Sequence, residues 1–160
     1  TEHFATSFIR RKLFALFNVY ETGRGRGLVF TACAPEEWHE VGVLIVSLFL
    51  VRHGFKVSYL GASLAPAGLA ETLRHHRPDL VLISATSEET AENVRDIADV
   101  VASLPEPRPM LGYGGRGFDD EAFRRNLPGL YLGGSASSAV EVVGRILAGD
   151  TGNGHHPLAS

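Results

Sequence analysis

Residues 28–61 read LVFTACAPEEWHEVGVLIVSLFLVRHGFKVSYLG. The segment opens on a short apolar run, 28–34, and closes on a second, 55–61, both of strand length. Between them a helical stretch runs from about His39 to Gly54. Its Val41, Leu44, Ile45, Leu48, Phe49 and Val51 are spread over nearly every side, which predicts a deeply buried helix. Strand, helix and strand in this order form a unit whose two strands run parallel, because the helix carries the chain back.

The alternation continues downstream. PAGLAETLRHH (66–76) predicts a helix started by Ser63 or Pro66, DLVLISA (79–85) a third strand, and residues 88–104 another helix. PMLGYGG (109–115) is a fourth strand, DDEAFRRNL (119–127) a shorter helix and LYLGG (130–134) a fifth strand. The last helix, SASSAVEVVGRILAG (135–149), is capped by Ser135 and stopped by Gly149. The implied fold is α/β, a five-stranded parallel doubly wound sheet of the flavodoxin-like Rossmann kind. Right-handed crossovers give it the order 2-1-3-4-5. One helix precedes it: Phe4, Phe8, Ile9, Leu13, Leu16 and Phe17 stand at helical spacing opposite Arg10, Arg11 and Lys12. The chain therefore divides into an upstream helical segment and linker (1–26), one domain (27–149) and a tail expected to be disordered (150–160).

Composition narrows the function. The 160 residues are 44% hydrophobic and 21% charged with a net charge of −3, so neither general disorder nor nucleic-acid binding is indicated. Only residues 1–27 are basic, with five cationic against two acidic side chains. The lone Cys33 excludes a disulfide framework and a cysteine-rich zinc site. No apolar run is long enough to span a membrane and the start is unlike a signal peptide, so a cytoplasmic protein is expected. A first residue of Thr, not Met, suggests a piece of something longer.

Sheets of this kind bind ligands at the carboxyl ends of the strands, beside the switch between strands one and three. The first loop there, Ala34 to Gly42, presents His39 among Glu36, Glu37 and Glu40. An imidazole with a carboxylate two residues away suits a metal ligand whose second nitrogen is held. The same carboxylates also suit the positive end of a helix, and the residues alone leave both readings open. The third loop, Ser84-Ala85-Thr86-Ser87-Glu88-Glu89, lacks the aspartate of a phosphorelay receiver. Its small hydroxyl side chains leave room for a bulky body, or cap the next helix. Gly112 to Gly117 spells GxGxxG, but after the fourth strand and before a short helix, where the dinucleotide fingerprint does not belong. Its glycines suit a backbone that something approaches closely. His75-His76 fits a solvated helix end, and the tail's His155-His156 could bind metal only incidentally. No G-x-S-x-G elbow occurs and Cys33 has no basic neighbour, so no catalytic constellation is present.

Together these loops resemble the cobalamin-binding domain of corrinoid methyltransferases, carbon-skeleton mutases and some regulators. The family pattern is D-x-H-x-x-G, about 41 residues, S-x-L (or S-x-T or S-x-V), about 27 residues, then GG. This chain has Glu37-x-His39-x-x-Gly42, 41 intervening residues, Ser84-x-Thr86, 27 more, and Gly114-Gly115. The resemblance covers roughly residues 27–148. It implies that His39 is the lower axial ligand of cobalt, displacing the cofactor's own benzimidazole. The detached nucleotide tail would run between strands one and three, past Ser84 and Thr86, to Gly114 and Gly115. Gly42 would let loop and helix pack without a Cβ in the way.

Glu37 stands where many members carry Asp and looks more like the regulators than the enzymes. Light-responsive, adenosylcobalamin-dependent regulators of the CarH and LitR type precede the domain with a helical bundle. The bundle's last helix carries W-x9-E-H over the cofactor's upper face, and Glu2-His3 is similar to its end. The resemblance thus implies a sensor module that binds adenosylcobalamin (methylcobalamin is the other candidate) and acts as a homo-oligomer. It would reach DNA through a domain outside this chain. Rival readings are a corrinoid carrier of a methyltransferase or mutase system, and a related fold that holds haem or flavin.

Overall fold

Five apolar runs become five parallel strands: β1 (Leu28–Cys33), β2 (Lys56–Tyr59), β3 (Leu80–Ser84), β4 (Met110–Gly114) and β5 (Leu130–Tyr131). They lie in the order β2-β1-β3-β4-β5, as the alternation of elements predicts. The structure, a computed structural model, describes residues 25–149 together with Phe4, Ser7, Phe8 and Arg11. Glu2, His3, the remainder of the expected first helix and the tail 150–160 lie outside the described residues.

The helices are α1 (Val41–Arg52), α2 (Leu69–His76), α3 (Glu88–Ala91), α4 (Val94–Ala102), α5 (Glu121–Arg124) and α6 (Ala136–Leu147). A 3-10 turn, Arg116–Phe118, follows β4. Because side chains alternate along a strand, each strand feeds two cores. Val29, Leu80 and Leu82 pack with Val43 and Leu50 of α1 and with Val140, Val143 and Ile146 of α6. Phe30, Val81, Ile83 and Tyr113 face the other way, onto Leu69 and Leu73 of α2 and Ile97 and Val101 of α4. Helices on both faces explain why β1 and β3 read as near-continuous apolar runs, with the buried Thr31 hydroxyl of β1 bonded to Ser47 of α1 at 2.7 Å. Each such aliphatic side chain contributes about 1.5–3 kcal/mol by leaving water.

Three elements differ from their expected form. The helix expected over 88–104 is broken at Glu92–Asn93 into α3 and α4. There the backbone tightens into i→i−3 bonds, Asn93 to Thr90 and Asp96 to Asn93, and the Asn93 side-chain amide donates to the Pro35 carbonyl at 2.7 Å. Helix α2 begins only at Leu69, behind Gly68 at φ +79°, and neither Ser63 nor Pro66 caps it. Helix α1 begins at Val41 and has no acidic residue in its first turn. Its N-cap Glu40 makes no capping bond and instead accepts the Tyr59 hydroxyl. Helix α6, by contrast, starts as expected: Ser135 and Ser138 form a reciprocal capping box.

Candidate functional site

The register aligns Cys33 of β1, Ser84 of β3 and Gly114 of β4 at the carboxyl edge of the sheet. The chain leaving β1 turns at once. Glu37 donates its N–H to the Ala34 carbonyl, and Glu36 adopts a left-handed φ of +68°. Beyond that turn the side chains of Glu37 and His39 part. Glu37 is only 2% exposed, whereas the His39 side chain is 64% exposed.

The two are joined. Nδ1 of His39 lies 3.0 Å from Oε2 of Glu37. Oε1 of Glu37 accepts the Thr86 hydroxyl at 2.7 Å, the Thr86 N–H, and the Thr90 hydroxyl at 3.2 Å. Burial alone would raise the Glu37 pKa. The bonds from Thr86 and His39 outweigh it and hold the carboxyl at about 2. Beside an ionised carboxylate Nδ1 carries the proton, so the lone pair of the ring resides on Nε2. A histidine so held can donate to a metal through Nε2, and Glu37 lies outside the first turn of α1, whose N-cap is Glu40.

Next to this loop lies a cleft of about 220 Å³ between the first turns of α1 and α6. Its lining includes Gly42, Ile45, Ser84, Gly114, Gly115 and Ser135. The cleft exists because the upper ends of both helices carry small residues: Gly42 on α1, Ala136 and Ala139 on α6. Lower down, Leu50, Val143 and Ile146 fill the same space. Ser84 and Gly114 face the cleft because they share the strand face of Leu82, one of its lining residues.

Of the residues singled out from sequence, Glu37, His39 and Thr86 form one hydrogen-bonded group, and Gly42, Ser84, Gly114 and Gly115 line the adjacent cleft. Three expected roles change. Thr86 does not line the cleft; its hydroxyl and N–H serve Glu37. A Cβ at Gly42 would meet nothing within 4 Å, so this glycine keeps the cleft mouth open and is not needed for loop–helix packing. A Cβ at Gly115 would lie 2.4 Å from the Ala85 carbonyl oxygen at φ +108°, so backbone crowding already demands glycine there. The cleft also lies over β3 and β4, one strand beyond the expected course between β1 and β3.

Thr90, Gly133 and Gly134 join the site without having been assigned from sequence. The glycine pair after β5 was the available signal for the latter two. Thr90 gave none beyond the ordinary pattern of a helix start, where it also bonds Ser87.

A family model described as the B12 binding domain matches residues 27–143. The chain belongs to the B12-binding domain family. Among curated relatives, the HTH-type transcriptional repressor CarH of Myxococcus xanthus is 33% identical over 110 residues, covering 68% of this chain and 36% of that protein. The repressor CarA of the same organism is 27% identical over 117 residues, covering 72% and 41%. This B12-binding chain thus spans about two fifths of the length of these regulators. Among solved structures, the methanol:cobalamin methyltransferase complex MtaBC of Methanosarcina barkeri matches with TM-score 0.69 at 22% identity. That match covers 80% of this chain and 49% of the other. The monomethylamine corrinoid protein of Methanosarcina barkeri gives 0.67 at 20%, covering 84% and 65%. These likenesses show the fold. Among the described residues no helix is long and apolar enough to cross a membrane.

Proposed function

We propose that this B12-binding domain is the cobalamin sensor of a light- or cofactor-responsive transcription regulator, with His39 as the lower ligand of cobalt. The Glu37–His39 pair is the observation that carries the reading. Among the described residues no three His, Cys, Asp or Glu side chains gather to hold a bare ion. One exposed imidazole, backed by a buried carboxylate that accepts the Thr86 and Thr90 hydroxyls and the Thr86 N–H, suits a metal that arrives in its own macrocycle. In this reading Glu37 fixes the ring and its tautomer, and Thr86 and Thr90 fix Glu37. Gly42 leaves the cleft mouth open. Ser84, Gly114 and Gly115 line a path for the nucleotide tail, apolar apart from two serine hydroxyls.

The cofactor supplies an upper cobalt ligand that light or exchange can remove. The protein's part is to bind, to hold the imidazole, and to respond through whatever packs on the upper face, where Glu2 and His3 would contribute. Adenosylcobalamin is the proposed form, and DNA would be contacted by a domain outside these residues. Similarity to CarH and CarA in sequence favours the regulator. Likeness of fold to corrinoid proteins keeps a methyl-carrier module as the second reading.

Absorption spectra after incubation with adenosyl-, methyl- and hydroxocobalamin, in darkness and after green light, test it. Uptake of adenosylcobalamin with a spectral change on illumination supports the sensor. Methylcobalamin that loses its methyl group only beside a partner enzyme would move the assignment to the carrier. Purified protein with haem or flavin bands and no corrinoid uptake would end both.

A further inference from the structure

The loop that carries Glu37 and His39 is tied down at three consecutive residues by side chains and backbone from outside it. The Pro35 carbonyl accepts the Asn93 amide at 2.7 Å, from the α3–α4 junction. The Glu36 N–H donates to the Ser63 hydroxyl at 3.0 Å, and the Ser63 N–H donates to the Glu37 carbonyl at 2.8 Å. Ser63 lies in the β2–α2 connection, on the opposite side. Both members of this contact are left-handed without being glycine, Glu36 at φ +68° and Ser63 at φ +46°. Such conformations persist only where surrounding contacts over-determine them.

From this geometry we infer that Ser63 and Asn93 are positioning residues for the His39 ligand. The inference rests on the corrinoid reading proposed above. Glu37 is turned inward by the backbone at 35–37, which these contacts hold together with the turn from the Glu37 N–H to the Ala34 carbonyl. Release of either clamp lets residues 35–37 relax toward ordinary dihedrals. The carboxylate then leaves Thr86 and Thr90, and the imidazole loses its fixed orientation. Ser63 and Asn93 therefore act on the ligand through Glu37, two bonds removed, although neither lines the cleft.

Substitution separates this role from a merely structural one. Ser63→Gly relieves the left-handed serine but removes the hydroxyl and loosens the Glu37 bonds, so the unliganded protein should stay folded and melt somewhat lower than before, by less than Glu37→Gln does. Its affinity for diaquacobinamide, which has no base of its own, should nonetheless fall about 3- to 10-fold. That is below the roughly 10- to 100-fold typical of losing a ligand's direct partner. Asn93→Ala should act in the same direction. Ser63→Asn, whose amide oxygen can accept the Glu36 N–H in a left-handed residue, should restore affinity and the visible spectrum of the bound state. In a His39→Ala background the loss from Ser63→Gly should vanish, since the coupling runs through the imidazole.

An equal loss in that background, or no loss in either, would overturn the inference while leaving corrinoid binding intact. Failure of the unaltered protein to take up diaquacobinamide would overturn the corrinoid reading and this inference with it.

Discussion

At the scale of single residues the site turns on the opposite exposure of two neighbours. Glu37 is buried and His39 is open, and the left-handed Glu36 immediately precedes them. His39→Ala removes the ligand itself, so it should weaken corrinoid binding at least as much as the roughly 10- to 100-fold typical of losing a ligand's partner, and should abolish the spectrum of imidazole-ligated cobalt, measured by titration in the visible range. Glu37 also leaves a signature in the unliganded protein. Its folded pKa of about 2 lies below the ordinary 4.5, so its contribution is complete above pH 4.5 and is lost as pH falls toward 2. Denaturant unfolding should show Glu37→Gln less stable at neutral pH by up to about 3 kcal/mol, with the gap closing across that acid window. A gap that persists unchanged at pH 2 would mean that the carboxylate's charge is not what stabilises the loop.

At the scale of elements the cleft depends on where two helices are thin. Gly42 lies in the first turn of α1 with open space beside its Cα. Gly42→Leu should therefore leave thermal stability unchanged or raise it by up to about 1 kcal/mol, because glycine is a poor helix residue. The same change should block cobalamin uptake by filling the cleft mouth. Gly115→Leu should instead lower the melting temperature outright, since its side chain meets the Ala85 backbone. A Gly42→Leu protein that binds normally would show that the ligand does not use this cleft. Ser135→Ala should cost about 1 kcal/mol, as a capping-box residue on α6. The alternation of strands and helices was legible because apolar runs of strand length and periodic helices follow different spacings. Element ends were less so. The break at Asn93 coincides with a side-chain bond to Pro35, 58 residues away, which local spacing cannot encode, and α2 starts late behind the left-handed Gly68.

At the scale of the whole molecule, the sheet order and the position of the loops were readable because parallel connections leave few topologies. The spacing of His39, Ser84 and Gly114 then marked the site. What the sequence could not reveal was the division of labour among these residues. Thr86 serves Glu37 while Ser84, two residues earlier, faces the cleft, because the strand ends between them and the alternation stops. Glu37 was marked by the motif, but its inward turn depends on Thr86 and Thr90, some fifty residues downstream. If the protein is a sensor, loading with adenosylcobalamin followed by green light should change its apparent mass in size-exclusion runs. A mass indifferent to light with the cofactor bound would favour the carrier.

The central claim is that the imidazole of His39 ligates cobalt from below. Cob(II)alamin bound to uniformly 15N-labelled protein tests it through the superhyperfine splitting in its electron paramagnetic resonance spectrum. Donation by the protein's nitrogen, of spin one half, should turn the triplets seen with unlabelled protein into doublets. Triplets that survive the label would place the cofactor's own benzimidazole on cobalt, and the account would be wrong.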